Sequence, residues 1–439
     1  MKDDNFFWNY NQEPGKTLKN NYIKDTGEPP LVSIITSYYN SDEFMDQTLN
    51  CVLNQTFPYW EWVVVDDGST DSKSLEYLNG LREKDPRIHI YHKENEGLAK
   101  GRDYAIKYSN TNYILPLDAD DLIEPTYIET LYWALETNPN ASWAFTNSLG
   151  FGKYIYLVDH EFDSEKMKTE NQITATALIR KEKIISLNGY GVAKRYVNED
   201  WHLWLRMLAR GDYPVQVCYY GFWYRRRKES LLSQINDGKA EENKLRLRDL
   251  KIEADKITKK VKPVIYPKEK FKVSSIEKES LNENAFAKWN RTLPKEDSIL
   301  FVLPDTGMDK KTYEMIKGLS ENKNIIIVTL EYSEHSHYAL RQQYEKFATV
   351  FNLDTFLDTK YFLQFINYII KTRDIKEIYV SKEYKSIFKD KKVSIINYTE
   401  NKNRYKLEIL IFKLKHTLVG RVIRKLLSKM NFFEQERKN

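Results

Sequence analysis

The chain has 439 residues, 41% of them hydrophobic, which is enough for sizeable cores in two to three domains. Its two cysteines, Cys51 and Cys218, exclude a disulfide-stapled scaffold and point to a reducing compartment, where both read as small buried hydrophobes. The net charge of +5 is uneven: residues 401 to 430 carry nine Lys or Arg against one Glu, the rest is slightly acidic, and without a recognisable binding module this argues against a nucleic-acid partner.

The start, Met1-Lys-Asp-Asp-Asn5, lacks the basic opening and apolar core of a signal peptide, and no run approaches the roughly 20 apolar residues of a spanning helix. A cytoplasmic location is the expectation. Residues 1–30, rich in Asn and aromatics, read as an N-terminal extension packed against the domain that follows. Leu31-Val-Ser-Ile-Ile-Thr36 then predicts a buried strand running into Ser37-Tyr-Tyr-Asn40. A second strand, Trp62-Val-Val-Val65, ends in Asp66 and Asp67, followed by the turn and helix-start residues Gly68-Ser-Thr-Asp71. A third, Ile114-Leu-Pro-Leu117, ends in Asp118, Asp120 and Asp121.

Strands of this fully apolar type, separated by helical patterns, predict a doubly wound parallel sheet, in which ligands bind beyond the carboxyl ends of the strands. All three polar clusters then fall on one edge. Carboxylates gathered there repel one another unless something positive lies between them, and a divalent metal carrying a diphosphate supplies that charge. A single Asp-x-Asp triplet is more often an ordinary loop, so the weight rests on the clusters occurring together.

In chain order, Val32-Ser-Ile-Ile-Thr-Ser-Tyr-Tyr-Asn40, Leu53-Asn-Gln-Thr-Phe57, Val63-Val-Val-Asp-Asp-Gly-Ser-Thr-Asp71, Asn95-Glu-Gly-Leu-Ala-Lys-Gly-Arg102 and Leu117-Asp-Ala-Asp-Asp121 resemble the successive blocks of family 2 glycosyltransferases with a GT-A fold. Further on, Asn188-Gly-Tyr190 with Asn198-Glu-Asp-Trp201 resembles the block carrying the catalytic carboxylate, and Tyr224-Arg-Arg-Arg227 the basic segment after it. The resemblance covers roughly residues 30 to 235 and implies an inverting transfer from a nucleotide-diphosphate sugar to a hydroxyl of a glycan or lipid-linked glycan acceptor.

By the same resemblance, Asp67 accepts a hydrogen bond from the nucleobase, with Ser37 and Tyr39 as the facing wall. Asp118 lies near the ribose, and Asp120 is the ligand of Mn²⁺ or Mg²⁺. Arg102, expected in the loop before the Ile114 strand, and Arg225 and Arg227 are candidates for the diphosphate. Asp200 is the general base at the start of a helix over Trp201–Leu208, with Glu199 orienting the loop or acceptor. A plain helix N-cap is the simpler explanation of that acidic pair taken alone. The chain departs from the family in having Ser37 where proline is common, and Asp103 where asparagine usually follows the arginine. The second change is expected to place an acid against Arg102 and neutralise it.

The catalytic domain is assigned to residues 31–237, and 238–296 to a helical, charged linker. In the variable stretch 143–180, Trp143, Phe145 and Asn147 read equally as acceptor-side or core residues. Residues 297–400 predict a smaller Rossmann-like α/β domain, with strands at Ser298–Leu303, Asn324–Thr329, Thr349–Asn352 and Glu377–Val380. It faintly resembles half of a GT-B glycosyltransferase and offers no glycine-rich phosphate loop, so an accessory role is expected. His335 and His337 lack partner spacing for a metal and read as surface residues. In the tail, 401–439, Leu407, Leu410, Ile411, Leu414 and Leu418 recur at helical spacing among lysines and arginines. That basic amphipathic pattern over 404–430 suits a peripheral contact with an anionic membrane, or else docking on the preceding domain. Two other functions remain open at this level: a nucleotidyltransferase, which lacks its glycine-rich start here, and a sugar-nucleotide-binding or scaffold protein with an inactive site.

Overall fold

The computed structural model describes residues 28–152, 156–191, 198–227, 240–267, 297–305, 310–331, 341, 344–373, 375–388 and 394–396. Most of the N-terminal extension, His335 and His337, and the basic tail lie outside the described residues.

The first unit opens with β1 (Val32–Tyr38), α1 (Asp42–Leu53), β2 (Trp60–Asp66), α2 (Ser72–Leu81), β3 (Ile88–His92), α3 (Leu98–Tyr108) and β4 (Tyr113–Pro116). Every residue of β2 is buried, as expected of a strand covered on both faces by helices. Asp71 caps α2 by accepting from Ser74 N at 2.9 Å, satisfying an amide that the helix itself leaves unpaired. After β4 come β5 (Leu122–Ile123), α4 (Tyr127–Glu136), β6 (Trp143–Gly152), β7 (Tyr156–Val158), β8 (Leu178–Arg180), α5 (Lys181–Ser186), α6 (Glu199–Ala209), β9 (Pro214–Arg226), α7 (Ala240–Asp255) and β10 (Val264–Tyr266).

The sheet runs β10-β9-β6-β8-β4-β1-β2-β3, with β5 on β9 and β7 on β6. Strands β4, β1, β2 and β3 are parallel neighbours, but β8 is antiparallel to both β4 and β6, so the sheet is mixed rather than purely parallel. The reason is local: β6 turns back through its antiparallel partner β7, and the chain re-enters the sheet at β8 from the opposite direction. The expected linker also contributes to this unit, since α7 buries Leu250 and Ala254 in the core beneath α6 and β10 pairs with β9.

Trp143 and Trp204 stack with centroids 5.3 Å apart inside the sheet–helix core. Trp143, Phe145 and Asn147 are all buried on β6, the two aromatic rings within the apolar cluster under α6. Cys51 is buried as expected, whereas Cys218 is only half-buried.

The second unit holds β11 (Ser298–Leu303), α8 (Lys310–Leu319), β12 (Asn324–Thr329), β13 (Ala348–Asn352), α9 (Phe362–Thr372), β14 (Ile375–Ser381) and β15 (Ser394–Ile396). All its strand pairs are parallel, in the order β13-β12-β11-β14-β15. This is the predicted Rossmann-like arrangement with one further strand, and it gives the chain its α/β class. It does not hang free of the first sheet. Trp133 on α4 packs edge-on against Phe365 of α9 with centroids 5.2 Å apart, and one apolar cluster runs through both sheets. Arg373 Nη2 donates to Glu129 Oε1 at 2.6 Å, and Arg341 Nη2 to Thr126 Oγ1 at 3.1 Å.

Candidate active site

The carboxyl ends of β1, β2 and β4 place their polar residues on one rim. At β2, Asp67 Oδ1 accepts from Lys93 Nζ at 2.8 Å and from Glu96 N at 3.0 Å, and Oδ2 accepts from Gly97 N at 2.7 Å. A carboxylate offers about four acceptor sites, so Asp67 orders the turn into α3 and keeps room for one more donor. Gly97 makes that turn at φ 91°, a conformation that disfavours side chains. One helical turn on, a Cβ at Gly101 would collide with Ser37 Oγ, which is how α3 lies hard against the end of β1. Ser37 is half-buried there, while Tyr39 is 45% exposed.

Arg102 is on α3 itself, not in a loop, and is 1% exposed. It donates to Asp118 Oδ1 at 2.6 Å through Nη2, and to Glu199 Oε1 through Nη1. Burial works against the charged guanidinium, but the two carboxylates outweigh it and raise its hold on the proton. The expected quenching by Asp103 does not occur: that carboxylate accepts from Tyr190 N at 2.8 Å and leaves Arg102 to Asp118 and Glu199. Glu199 in turn is pushed up to about 7 by burial, with Arg102 pulling the other way and Asp200 adding repulsion.

Beyond β4, Arg227 grips Asp120 Oδ2 with Nε at 2.6 Å and Nη2 at 2.5 Å. Arg225 Nε donates to the Asp120 carbonyl at 2.7 Å, and its backbone N to Asp121 Oδ1 at 2.7 Å. Its guanidinium lies 4.1 Å from the Phe44 ring centroid and reaches Gln47 Oε1 at 2.5 Å. Asp121 is therefore a buried strut of the turn. Burial pushes the Asp120 carboxyl up, and Arg227 draws it down. As a metal site the donors fit Mn²⁺ or Mg²⁺: both Arg227 contacts fall on one oxygen of Asp120, and Asp118 stands two residues away. Among the described residues no group of three His, Cys, Asp or Glu could hold a metal by protein ligands alone. Magnesium commonly uses one or two carboxylates with phosphate oxygens.

Helix α6 begins two residues earlier than expected, at Glu199. Asp200 lies inside its first turn, and the N-cap is Asn198, at φ 63°. Asp200 therefore does not serve as the cap. Its Oδ1 accepts from Trp201 N at 2.7 Å and its Oδ2 from Asn171 Nδ2 at 3.0 Å. Burial raises the Asp200 carboxyl, and the Trp201 amide and Arg102 pull it down. Asp118 and the Asp200 helix thus meet through Arg102, while Asp67 fixes the turn from which α3 starts.

Lys93, Gln47 and Asn171 were not singled out from sequence. Lys93 carried a usable signal, being a cation three residues before Glu96 at a strand end, but Gln47 and Asn171 sit in unremarkable polar stretches.

Residues 33–185 match the profile of Glycosyl transferase family 2. Among curated proteins, the chain is 29% identical over 204 residues to the putative teichuronic acid biosynthesis glycosyltransferase TuaG of Bacillus subtilis, covering 44% of this chain and 79% of that protein. It is 26% identical over 219 residues to the glycosyltransferase GlyA of Streptococcus pneumoniae, covering 46% of this chain and 31% of that one. Among solved structures, S. aureus TarS 1–349 in complex with UDP-GlcNAc is similar at a TM-score of 0.44 and 17% identity, over 59% of this chain and 72% of that chain. The mannosyltransferase PcManGT of Pyrobaculum calidifontis, in complex with GDP-Man and Mn²⁺, gives 0.38 and 19%, over 53% and 72%. The match to Glycosyl transferase family 2 falls within the first unit, on the strands and helices that carry the Asp67 and Asp118–Asp121 rim.

Proposed function

We propose that the chain is a metal-dependent, inverting glycosyltransferase that moves a sugar from a nucleotide-diphosphate sugar to a hydroxyl of a cell-surface glycan or its lipid-linked precursor. The observation that carries this reading is Arg102, which ties Asp118 at the end of β4 to Glu199 on α6 and so brings the Asp120 turn and Asp200 to the same rim. The name of the Bacillus relative supports the acceptor class.

In this reading Asp67 takes the nucleobase on its remaining acceptor site, between Ser37 and Tyr39, and Asp118 meets the ribose. Asp120 holds Mn²⁺ or Mg²⁺, which when bound offsets charge on the departing diphosphate. Arg225 and Arg227 line the same turn and add positive charge there. Arg102 acts as a buried strut rather than a diphosphate ligand, because both its terminal nitrogens are committed to carboxylates. Asp200 accepts the proton of the acceptor hydroxyl as that oxygen attacks the anomeric carbon opposite the diphosphate, and Glu199 keeps the helix start in place through Arg102. The result is inversion at that carbon.

No helix among the described residues is long and apolar enough to cross a membrane. The basic pattern over 404–430 supports a cytoplasmic enzyme held peripherally at an anionic membrane. The deciding experiment is release of nucleoside diphosphate across UDP-, GDP- and dTDP-sugars with Mn²⁺ present. Turnover of one donor with an inverted product is expected; binding without turnover of any donor favours the inactive sugar-nucleotide-binding protein instead.

A further inference from the structure

Asn171 lies in the segment between β7 and β8 and reaches Asp200 across 29 positions, its Nδ2 donating to Oδ2 at 3.0 Å. A carboxylate only accepts, so the nitrogen of the amide must face it. With Trp201 N on Oδ1, two donors fix both oxygens and hence the plane of the carboxylate. Among the described residues the buried carbonyl of Asn171 meets no hydrogen-bond partner, so there the contact with Asp200 is what orients this side chain. The backbone beneath is braced. Met167 O accepts from Trp201 Nε1 at 2.7 Å, Gln172 N donates to Met167 Sδ at 3.4 Å, and Gln172 Oε1 accepts from Asp163 N at 2.8 Å. The segment is therefore tied to the first turn of α6 at two points, the indole of Trp201 and the carboxylate of Asp200.

We infer that Asn171 is a positioning residue that holds the Asp200 carboxylate in the rotamer from which it takes the acceptor proton, a role that rests on Asp200 being the base. Among the described residues, the charged and titratable groups that act on Asp200 include Arg102, Asp118, Glu199 and Tyr190. Of these, only Arg102 favours the ionised form. The Asn171 amide adds a neutral donor to that side, so its loss shifts Asp200 toward protonation.

The test uses the full chain labelled with ¹³C at the aspartate carboxyl carbons. The Asp200 resonance is the one missing from Asp200→Asn, and its midpoint is followed in Asn171→Ala and in the isosteric Asn171→Asp. The midpoint is expected to rise by about one pH unit in Asn171→Ala and further in Asn171→Asp, where a like charge replaces the donor. Turnover of the donor found by the screen falls about tenfold at neutral pH because the carboxylate leaves its productive rotamer, with KM unchanged. Should Asn171→Ala not fold, Asn171→Asp keeps the shape and carries the test. Unmoved midpoints overturn the inference whatever the turnover. Raised midpoints with full turnover in Asp200→Asn would instead show that the base reading has failed while the contact is real, and the positioning role falls with it.

Discussion

Arg102 Nη2 stands 2.6 Å from Asp118 Oδ1, joining the middle of α3 to the turn just beyond the end of β4. The same guanidinium holds Glu199, so one buried cation compensates two acids. Arg102→Met leaves both without a partner, and breaking a buried pair typically costs about 3–5 kcal/mol. Urea unfolding should show a loss of that order. Arg102→Lys should recover only part of it, because an ammonium is a single point charge and lacks the fork that spans two carboxylates. A wild-type midpoint in Arg102→Met would mean that the bridge is open in solution.

Asp200→Asn keeps the shape of the side chain and removes its basicity. Turnover should fall by about 10²–10⁴ while the donor dissociation constant, measured by calorimetry, changes little. Retained turnover would reassign the base.

Asp120→Ala removes the proposed metal ligand. Donor affinity of the wild type should strengthen on adding Mn²⁺, and that of the variant should not respond. The metal dependence of binding is the quantity to compare, since Arg227 also loses its partner in this variant.

Glu199 gives a pH test. Its folded-state value is held up to about 7, against a reference of 4.5, chiefly by burial. Its contribution to stability is therefore fully present below about 4.5 and is lost as pH rises through about 7. Between pH 5 and 8 the wild type should lose on the order of 1–3 kcal/mol that Glu199→Gln does not, read as the difference in the slopes of unfolding free energy against pH. Parallel slopes would show Glu199 already ionised at pH 5.

At the contact between the two units, Glu129 is fully buried and accepts from both Arg373 and Tyr368, at 2.6 and 2.7 Å. Arg373→Met should destabilise the chain by about 3–5 kcal/mol, whereas Arg373→Met combined with Glu129→Leu should recover much of that loss, because no unpaired buried charge remains. Two separate thermal transitions in the single variant would show that the units have come apart.

The parallel strands were legible because they are short, apolar and bounded by turn residues, and β1, β2, β4, β11 and β12 fall within two residues of their expected limits. Strand β3, Ile88-His-Ile-Tyr-His92, alternates as a half-buried edge strand does, but at five residues it was overlooked beside the continuous apolar runs of its neighbours. The reversal at β8 was not legible either, since strand direction depends on the β6–β7 return and leaves no mark in composition. The acidic residues of the site could be named from their blocks, but not their partners. That Glu199, 97 positions away, comes to lie against Arg102 could not be read from the sequence. Asn171 was invisible for the same reason: a polar residue in a variable stretch acquires meaning only when the fold sets it beside Asp200.

Helix α4 follows the Asp118–Asp121 turn and β5, and its start is held by the second unit, through Arg341 on Thr126 and Arg373 on Glu129. A fragment trimmed after residue 267 would strip Glu129 of its Arg373 and Tyr368 donors, leaving it the hydroxyl of Thr56, and would expose the side of Trp133 that packs on Phe365. Truncations made for convenience would then report the behaviour of a loosened scaffold rather than of the intact enzyme, and grafting another C-terminal unit onto this one would require carrying the α4 footprint along with it.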